Sequence, residues 1–523
     1  MIASLVFLSS GLFLGWSLGA NDASNVFGSA VGSRMLRFST AAVLCSLFVI
    51  LGAVTAGGAA SGGLGELGAV NAIAGSFTTA LAAGVTMTWM TRAGLPASTS
   101  QAVVGAVVGW NWFSGSITDL SQLSRIAFAW VASPLLAALL AAGLHRLLVA
   151  AIRRGRPHLL SLDANLRLGL ILAGMFGSYS LGANNIGNVM GVFVNASPFA
   201  ELTIAGGLHL SGEQQLFLLG AIAIAVGVAT YSRRVMLTVG GSLMTLSPVA
   251  ALVVVLANAL VLFVFSSPQL SALAVALGLP PIPLIPVSSS QAVIGAVLGI
   301  GLLQGGRGVR QIRWGVLARI ASGWITTPLI AALVAFVLLF VVQNVFGQQV
   351  FRPVAYQLSP PALVRLAEER LPSERLAMDL QPVVGSVRFR AWLRRQVRLD
   401  PAQEAQVLRI AETRPLTIDA RGLEALERTS LPAPYREAVA GLEGRSFLHP
   451  WQLAEALASR SPLWAPAPDA PRAEAARRAA RLALVLDTFS RSPPDRSAQN
   501  RGAQNRGAGP VPPTSLRSPG AEG

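Results

Sequence analysis

Two stretches of this chain are each written twice, in the same order, and that duplication limits the folds open to it. The first is Gly19-Ala20-Asn21-Asp22-Ala23-Ser24-Asn25-Val26-Phe27-Gly28, which returns as Gly182-Ala183-Asn184-Asn185-Ile186-Gly187-Asn188-Val189-Met190-Gly191. The second is Pro96-Ala97-Ser98-Thr99-Ser100-Gln101-Ala102-Val103-Val104-Gly105, which returns as Pro286-Val287-Ser288-Ser289-Ser290-Gln291-Ala292-Val293-Ile294-Gly295. Ordered recurrence of this kind marks an internal repeat. Both copies of the Asn motif follow a long apolar run, 1–18 and 168–181. Each puts Gly, Asn and a further polar residue where an unbroken membrane helix would carry Leu or Val.

The setting of these motifs is a membrane. The chain is 53% hydrophobic and only 12% charged, a balance found in polytopic membrane proteins. A hydrocarbon core of about 30 Å takes roughly 20 apolar residues as helix. Ten segments answer to this, in two sets of five: 1–33, 38–57, 67–91, 96–112 and 123–150, then 166–195, 213–232, 235–265, 286–304 and 315–343. The Asn motif interrupts the first segment of each set and the Ser motif opens the fourth. Five is odd, so the second set must cross the membrane upside down, as in transporters built from inverted repeats. The expected fold is an all-α polytopic membrane protein of two inverted-topology repeats with broken or re-entrant helices, 1–157 and 158–345. A soluble, mostly helical C-terminal region, 346–489, and a disordered tail, 490–523, follow.

Basic residues favour cytoplasmic loops. With the N-terminus outside, the inner boundaries collect Arg34, Arg37, Arg92, Arg146, Arg153, Arg154, Arg156, Arg167, Arg233, Arg234, Arg307, Arg310, Arg313 and Arg319. The outer connections 58–66, 113–122, 196–212 and 266–285 hold none, and only Arg125 dissents. Residues 1–18 lack a basic leader and run straight into the motif, so they read as a retained segment of a multi-pass cell-membrane protein. The net charge of +16 does not point to nucleic acid. Lysine is absent, and the tail's arginines alternate with acids as on a solvated helix face. The single Cys45 excludes an internal disulfide. In the tail, 360–370 and 473–486 have helical spacing, Trp392, Trp451 and Trp464 are candidates to seed a small core, and a chain-specific appendage is favoured over a docking or sensing module.

Asp22 is the only carboxylate inside any segment; Glu66, Asp119, Asp163, Glu201 and Glu213 fall in connections or at ends. A charge at the bilayer centre costs about 3 kcal/mol or more, so Asp22 is a candidate functional group. Gly19 and Gly28 would let the helix break and the backbone approach a ligand, and Asn21, Ser24 and Asn25 add polar groups there. Ser98, Thr99 and Ser100, like Ser288, Ser289 and Ser290, open a helix, whose N-terminal end carries partial positive charge suited to an anion. Gln101 and Gln291 add amides one residue on. No segment interior holds Arg or Lys, so helix ends, hydroxyls and amides would have to hold any anion.

The paired Gly-Ala-Asn-Asp-x-x-Asn and Pro-x-Ser-[Thr/Ser]-Ser-Gln motifs resemble those of the inorganic phosphate transporter (PiT) family. So do Arg233-Arg234-Val235…Thr238-Val239-Gly240 and the Trp130…Pro134 and Trp324…Pro328 pairs. The resemblance covers about 1–343. It implies a symporter that imports inorganic phosphate with Na⁺ or H⁺ by alternating access. It implies substrate binding by Asn21, Asp22, Ser98, Thr99, Ser100, Asn184, Asn185, Ser288, Ser289 and Ser290. Asp22, Asn25, Asn188, Gln101 and Gln291 stand as candidates for the coupling ion. Neither a further cofactor nor a metal beyond Na⁺ is called for, and a homo-oligomer is left open. The family pattern has Asp in both copies, whereas here the second reads Asn184-Asn185. That puts the ion count, or the choice of phosphate over sulfate, in question. Two other classes compete. A membrane enzyme is disfavoured because His145, His158, His209 and His449 lie in connections, at a segment end or in the tail; a phosphate sensor would bind without flux.

Overall fold

The computed structural model describes residues 2–59, 67, 70–92, 97–196, 199, 202–204, 208–239, 246–376, 382–427, 429, 431–465, 478, 481–486 and 488–489. The chain divides into two compact units, Met1–Pro353 with Val384–Ala391, and Val354–Val383 with Trp392–Gly523. The first is built mainly of helices, with a short antiparallel strand pair, Leu202–Ile204 and Leu208–Leu210. The helices are α1 (Ile2–Asp22), α2 (Ser24–Gly32), α3 (Phe38–Ala56), α4 (Ile73–Arg92), α5 (Thr99–Ser114), α6 (Leu120–Gly155) and α7 (Leu159–Met190). There follow α8 (Gly212–Thr230), α9 (Ser232–Val239), α10 (Pro248–Ser266), α11 (Pro268–Ala276), α12 (Ser289–Leu303), α13 (Gly306–Gln311) and α14 (Trp314–Asn344). Among the described residues, six helices are long and apolar enough to cross a membrane by length and composition: α3, α6, α7, α8, α10 and α14. Leu135, Leu139, Leu329 and Leu333 are each more than 60% exposed, a surface that suits lipid and not water.

Several expected boundaries move. The segment expected at 235–265 is two helices, α9 and α10, because Pro248 fits the first turn and Ser247 caps it, its hydroxyl accepting from Ala250 N. The segment expected from 166 begins at Leu159, capped by the His158 ring. The Asn motif barely interrupts its helix. In the first copy only Ala23 separates α1 from α2, with helical φ −57° and ψ −26°. In the second copy α7 runs through to Met190 and tightens into a 3₁₀ turn, Gly191–Ala196. At 16 and 15 residues, α5 and α12 are about 24 and 22 Å long, too short to span the hydrocarbon alone.

Of the two glycines expected to break the helix, Gly28 has only ordinary neighbours, whereas Gly19, with others like it, lets helices touch. A Cβ on Gly19 would lie 2.0 Å from the Ile224 carbonyl oxygen of α8, and one on Gly182 would lie 2.1 Å from that of Val49 in α3. Gly52 and Gly227 answer them, against the carbonyls of Tyr179 and Trp16. Beside these crossings the Trp16 indole donates to Thr230 Oγ1 at 3.0 Å, while the Thr55 and Tyr179 hydroxyls bond at 3.2 Å. The prolines inside the fifth helices follow the same rule: Gly295 abuts the Pro134 carbonyl, and Gly105 that of Pro328. Small residues at such contacts are how membrane helices approach closely.

Each of these contacts therefore occurs twice with the two repeats exchanged. The exchange extends to whole helices: α1, α4 and α5 of the first repeat pack with α8 and α14 of the second, and α7, α10 and α12 pack with α3 and α6. Two bundles result, each of mixed origin. After α14 the chain returns to the first bundle, where the Trp110 indole donates to the Val350 carbonyl at 3.0 Å and the Asn71 amide pairs with both backbone groups of Arg352.

The second unit packs a core of Leu416, Ile418, Leu426, Leu431, Val439, Leu442, Leu453, Leu457, Val485, Leu486 and Phe489. The tryptophan expectation is thus corrected: Trp464 sits at the edge of a leucine core, and Trp451 stacks on His449. The expected helix at 360–370 is Pro360–Glu368, with Arg365 paired to Glu369 one turn on at 2.9 Å. Residues 473–477, and the tail from Ser490, lie outside the described residues.

Candidate functional site

The four motifs meet inside the membrane unit, and they meet crosswise. Asp22 Oδ1 accepts from the Asn21 amide at 2.9 Å, and Oδ2 accepts from the Ser289 hydroxyl at 3.0 Å. The Asn25 amide donates to Ser289 Oγ at 3.0 Å and to Ser290 Oγ at 3.3 Å. The second Asn motif reaches the first Ser motif, with Asn188 Nδ2 donating to Ser100 Oγ at 2.8 Å. Ser100 in turn donates to the Val287 carbonyl at 3.4 Å, which brings the N-terminal ends of α5 and α12 together. All of the sequence-expected residues are buried except Asn21 and Ser290, which are half-buried. Pro96 lies outside the described residues.

The two halves are chemically unlike. Asp22 is the only buried carboxylate among the described residues of the membrane unit, and among those residues no basic side chain forms an ion pair with it. Its counterpart Asn185 accepts at Oδ1 from Asn184 Nδ2 and Asn188 Nδ2, both at 3.0 Å. Asn184 has only one possible orientation, because its amide pairs with the Val287 carbonyl at 2.8 Å and the Val287 N–H at 3.0 Å. The orientations of Asn185 and Asn188 follow in sequence, so Asn185 is left with a free N–H and Asn188 with a free carbonyl.

Ser98 precedes α5 in extended conformation but makes no capping bond, and neither its hydroxyl nor that of Thr99 has a partner within the protein. Ser288 does cap α12, accepting from Gln291 N at 3.3 Å. The carbonyl oxygens of Gln101 and Gln291 are buried and unpartnered. Buried polar groups are ordinarily satisfied, so a cluster of unpartnered ones at two helix N-termini has the chemistry of a ligand site. Sequence reasoning missed Asn258. It is fully buried in the apolar α10, its Nδ2 donates to the Asn25 carbonyl at 3.4 Å, and its Oδ1 is free. The one available signal was an amide in the middle of a Val- and Leu-rich helix.

The profile of the phosphate transporter family matches residues 18–164, 154–335 and 270–384. The chain belongs to that family. A Methanocaldococcus jannaschii protein that bears a phosphate permease name is 27% identical over 327 residues, which are 62% of this chain and 93% of that protein. The chloroplastic inorganic phosphate transporter 2-1 of Arabidopsis thaliana is 23% identical over 437 residues, 64% of this chain and 71% of its own. A solved structure, the sodium-dependent phosphate transporter, superposes with a TM-score of 0.51 at 22% identity, covering 66% of this chain and 99% of that one. At that identity the likeness shows the fold. A phosphate transporter family member with six such apolar helices is a multi-pass membrane protein, and its relatives are transporters, not enzymes.

Proposed function

We propose that this protein imports inorganic phosphate across the cell membrane in step with Na⁺ or H⁺. The observation that carries the reading is the crosswise cluster: hydroxyls, amides and two helix ends, buried without Arg or Lys, beside one unpaired carboxylate. A buried carboxylate with hydrogen bonds but no charged partner costs several kcal/mol, and a cation or proton arriving with the substrate supplies one. The helix ends and hydroxyls suit the anion. Every repeated contact occurs with the repeats exchanged, which supports a two-fold relation between them. With five segments per repeat, that relation inverts one repeat in the membrane, and the arginines gathered at one set of boundaries favour an outside N-terminus. Alternating access then moves the mixed bundles against each other about the cluster, since its hydrogen bonds join α1 and α2 to α12, and α7 to α5.

Uptake of labelled phosphate and sulfate by the full chain in proteoliposomes, under imposed Na⁺ or proton gradients, tests this. Phosphate accumulation that needs one gradient supports symport. Binding without flux would make the protein a sensor, and faster sulfate flux would make it a sulfate permease. Within the site, the joint replacement of Ser98 and Ser288 by Ala should weaken phosphate binding. A hydrogen bond to a charged ligand contributes about 1.5–3 kcal/mol. Unaltered affinity would reduce both residues to helix-end structure.

A further inference from the structure

The unpartnered groups are not shared evenly between the two halves of the site. Around Asp22 the groups largely satisfy one another: the Ser289 hydroxyl is spent on the carboxylate, Asn25 holds Ser289 and Ser290, and Ser288 caps its helix, which leaves Gln291 Oε1 and Asn258 Oδ1 free. Around Asn185 they do not. Asn185 Nδ2, Asn188 Oδ1, Ser98 Oγ, Thr99 Oγ1 and Gln101 Oε1 are all buried and free of partners within the protein. These residues are 0–3% exposed, and the Asn188–Asn185 and Asn188–Ser100 bonds tie the two amides to the uncapped start of α5, where Ser98, Thr99 and Gln101 flank Ser100 in the chain.

We infer that the half built from Asn185, Asn188 and the N-terminus of α5 holds the anion, selecting a protonated oxyanion, while the half around Asp22 takes the coupling cation. This deepens the transport reading and rests on it. The free N–H of Asn185 and the hydroxyls of Ser98 and Thr99 are donors, and the first N–H groups of α5 add partial positive charge. A carboxylate at position 185 would turn that N–H into a repelling oxygen; Asn removes the repulsion. Selectivity comes from Asn188. Its free carbonyl oxygen can only accept, and the chain of amides from Val287 prevents it from turning over. Phosphate at neutral pH carries at least one P–OH that can donate to it. Sulfate carries no proton and would set lone pair against lone pair.

The test compares KM for phosphate with the cation concentration at half-maximal uptake, in proteoliposomes of the full chain. Thr99→Val should raise KM about tenfold, the cost of one hydrogen bond to a charged ligand, and Thr99→Ser should restore it. Asn185→Asp should raise KM at least as much and shift the reversal potential toward a further coupled cation. Ser289→Ala should act mainly on the cation requirement. In the unaltered protein arsenate, which is protonated like phosphate, should compete, and sulfate in hundredfold excess should not. Equal effects of Thr99→Val and Ser289→Ala on both quantities would overturn the division of the site. Sulfate competing as well as arsenate would overturn the selectivity. Absence of phosphate flux in the unaltered protein would remove the transport reading itself, a result distinct from either.

Discussion

Asp22→Asn is expected to abolish ion-coupled uptake while leaving the protein folded. The protein supplies its own control for the fold, because Asn185 occupies the matching place in the second motif. There the Asn184 amide bonds Asn185 Oδ1 at 3.0 Å, as the Asn21 amide bonds Asp22 Oδ1 at 2.9 Å. An amide therefore fits the position and keeps the neighbour's hydrogen bond. What it removes is the one buried negative charge of the membrane unit among the described residues. Importing a divalent anion against a potential of about 100 mV costs about 2.3 kcal/mol per charge, so uptake that has lost its coupling cation should not accumulate phosphate. Full uptake with unchanged ion dependence in the variant would place coupling elsewhere.

Gly182→Ala and Gly19→Ala should each cost more than the usual small-to-large change. The new Cβ would stand 2.1 or 2.0 Å from a backbone carbonyl oxygen, which cannot turn aside as a side chain would. Overpacking typically costs about 1–3 kcal/mol, and contact with fixed backbone should fall at or above the top of that range. The expected result is loss of monodisperse protein on extraction and a fall in melting temperature. Gly143→Ala, with nothing within 4 Å, is the control and should change neither. Normal yield and melting temperature in the Gly182 variant would show that α3 and α7 can separate there at little cost.

Much of this site is legible in the amino-acid sequence. Duplicated motifs name residues directly, and the absence of Arg and Lys from segment interiors says what must hold an anion. The glycines mislead because Gly19 has two uses, bending a chain and admitting a neighbour; the residue type does not say which, and the Ile224 carbonyl does. Crosswise pairing is invisible in sequence for a related reason. Leu, Val and Ala faces suit many partners, so hydropathy places a helix in the membrane without choosing its neighbour. The difference between Ser98 and Ser288 is hidden too, since both sit in the same motif and only hydrogen bonds reveal which one caps its helix. Asn258 does not stand out because a single amide leaves the apolar character of α10 unaltered. In the tail, tryptophans draw attention as large residues while leucines at helical spacing make the core.

The mixed origin of the two bundles has a consequence for biosynthesis. Helices leave the ribosome in order, yet α1 packs against α8, and α5 against α14. Until the second repeat is inserted, Gly19, Gly52 and Gly105 have no backbone to meet, and the Ser98–Gln101 end of α5 has no Asn188. The bonds of Asp22 and Asn25 to Ser289, and of Ser100 to Asn188, can therefore form only after the second repeat has been made. A nascent chain stopped at the link between the repeats has every residue of two motifs and neither half of the site.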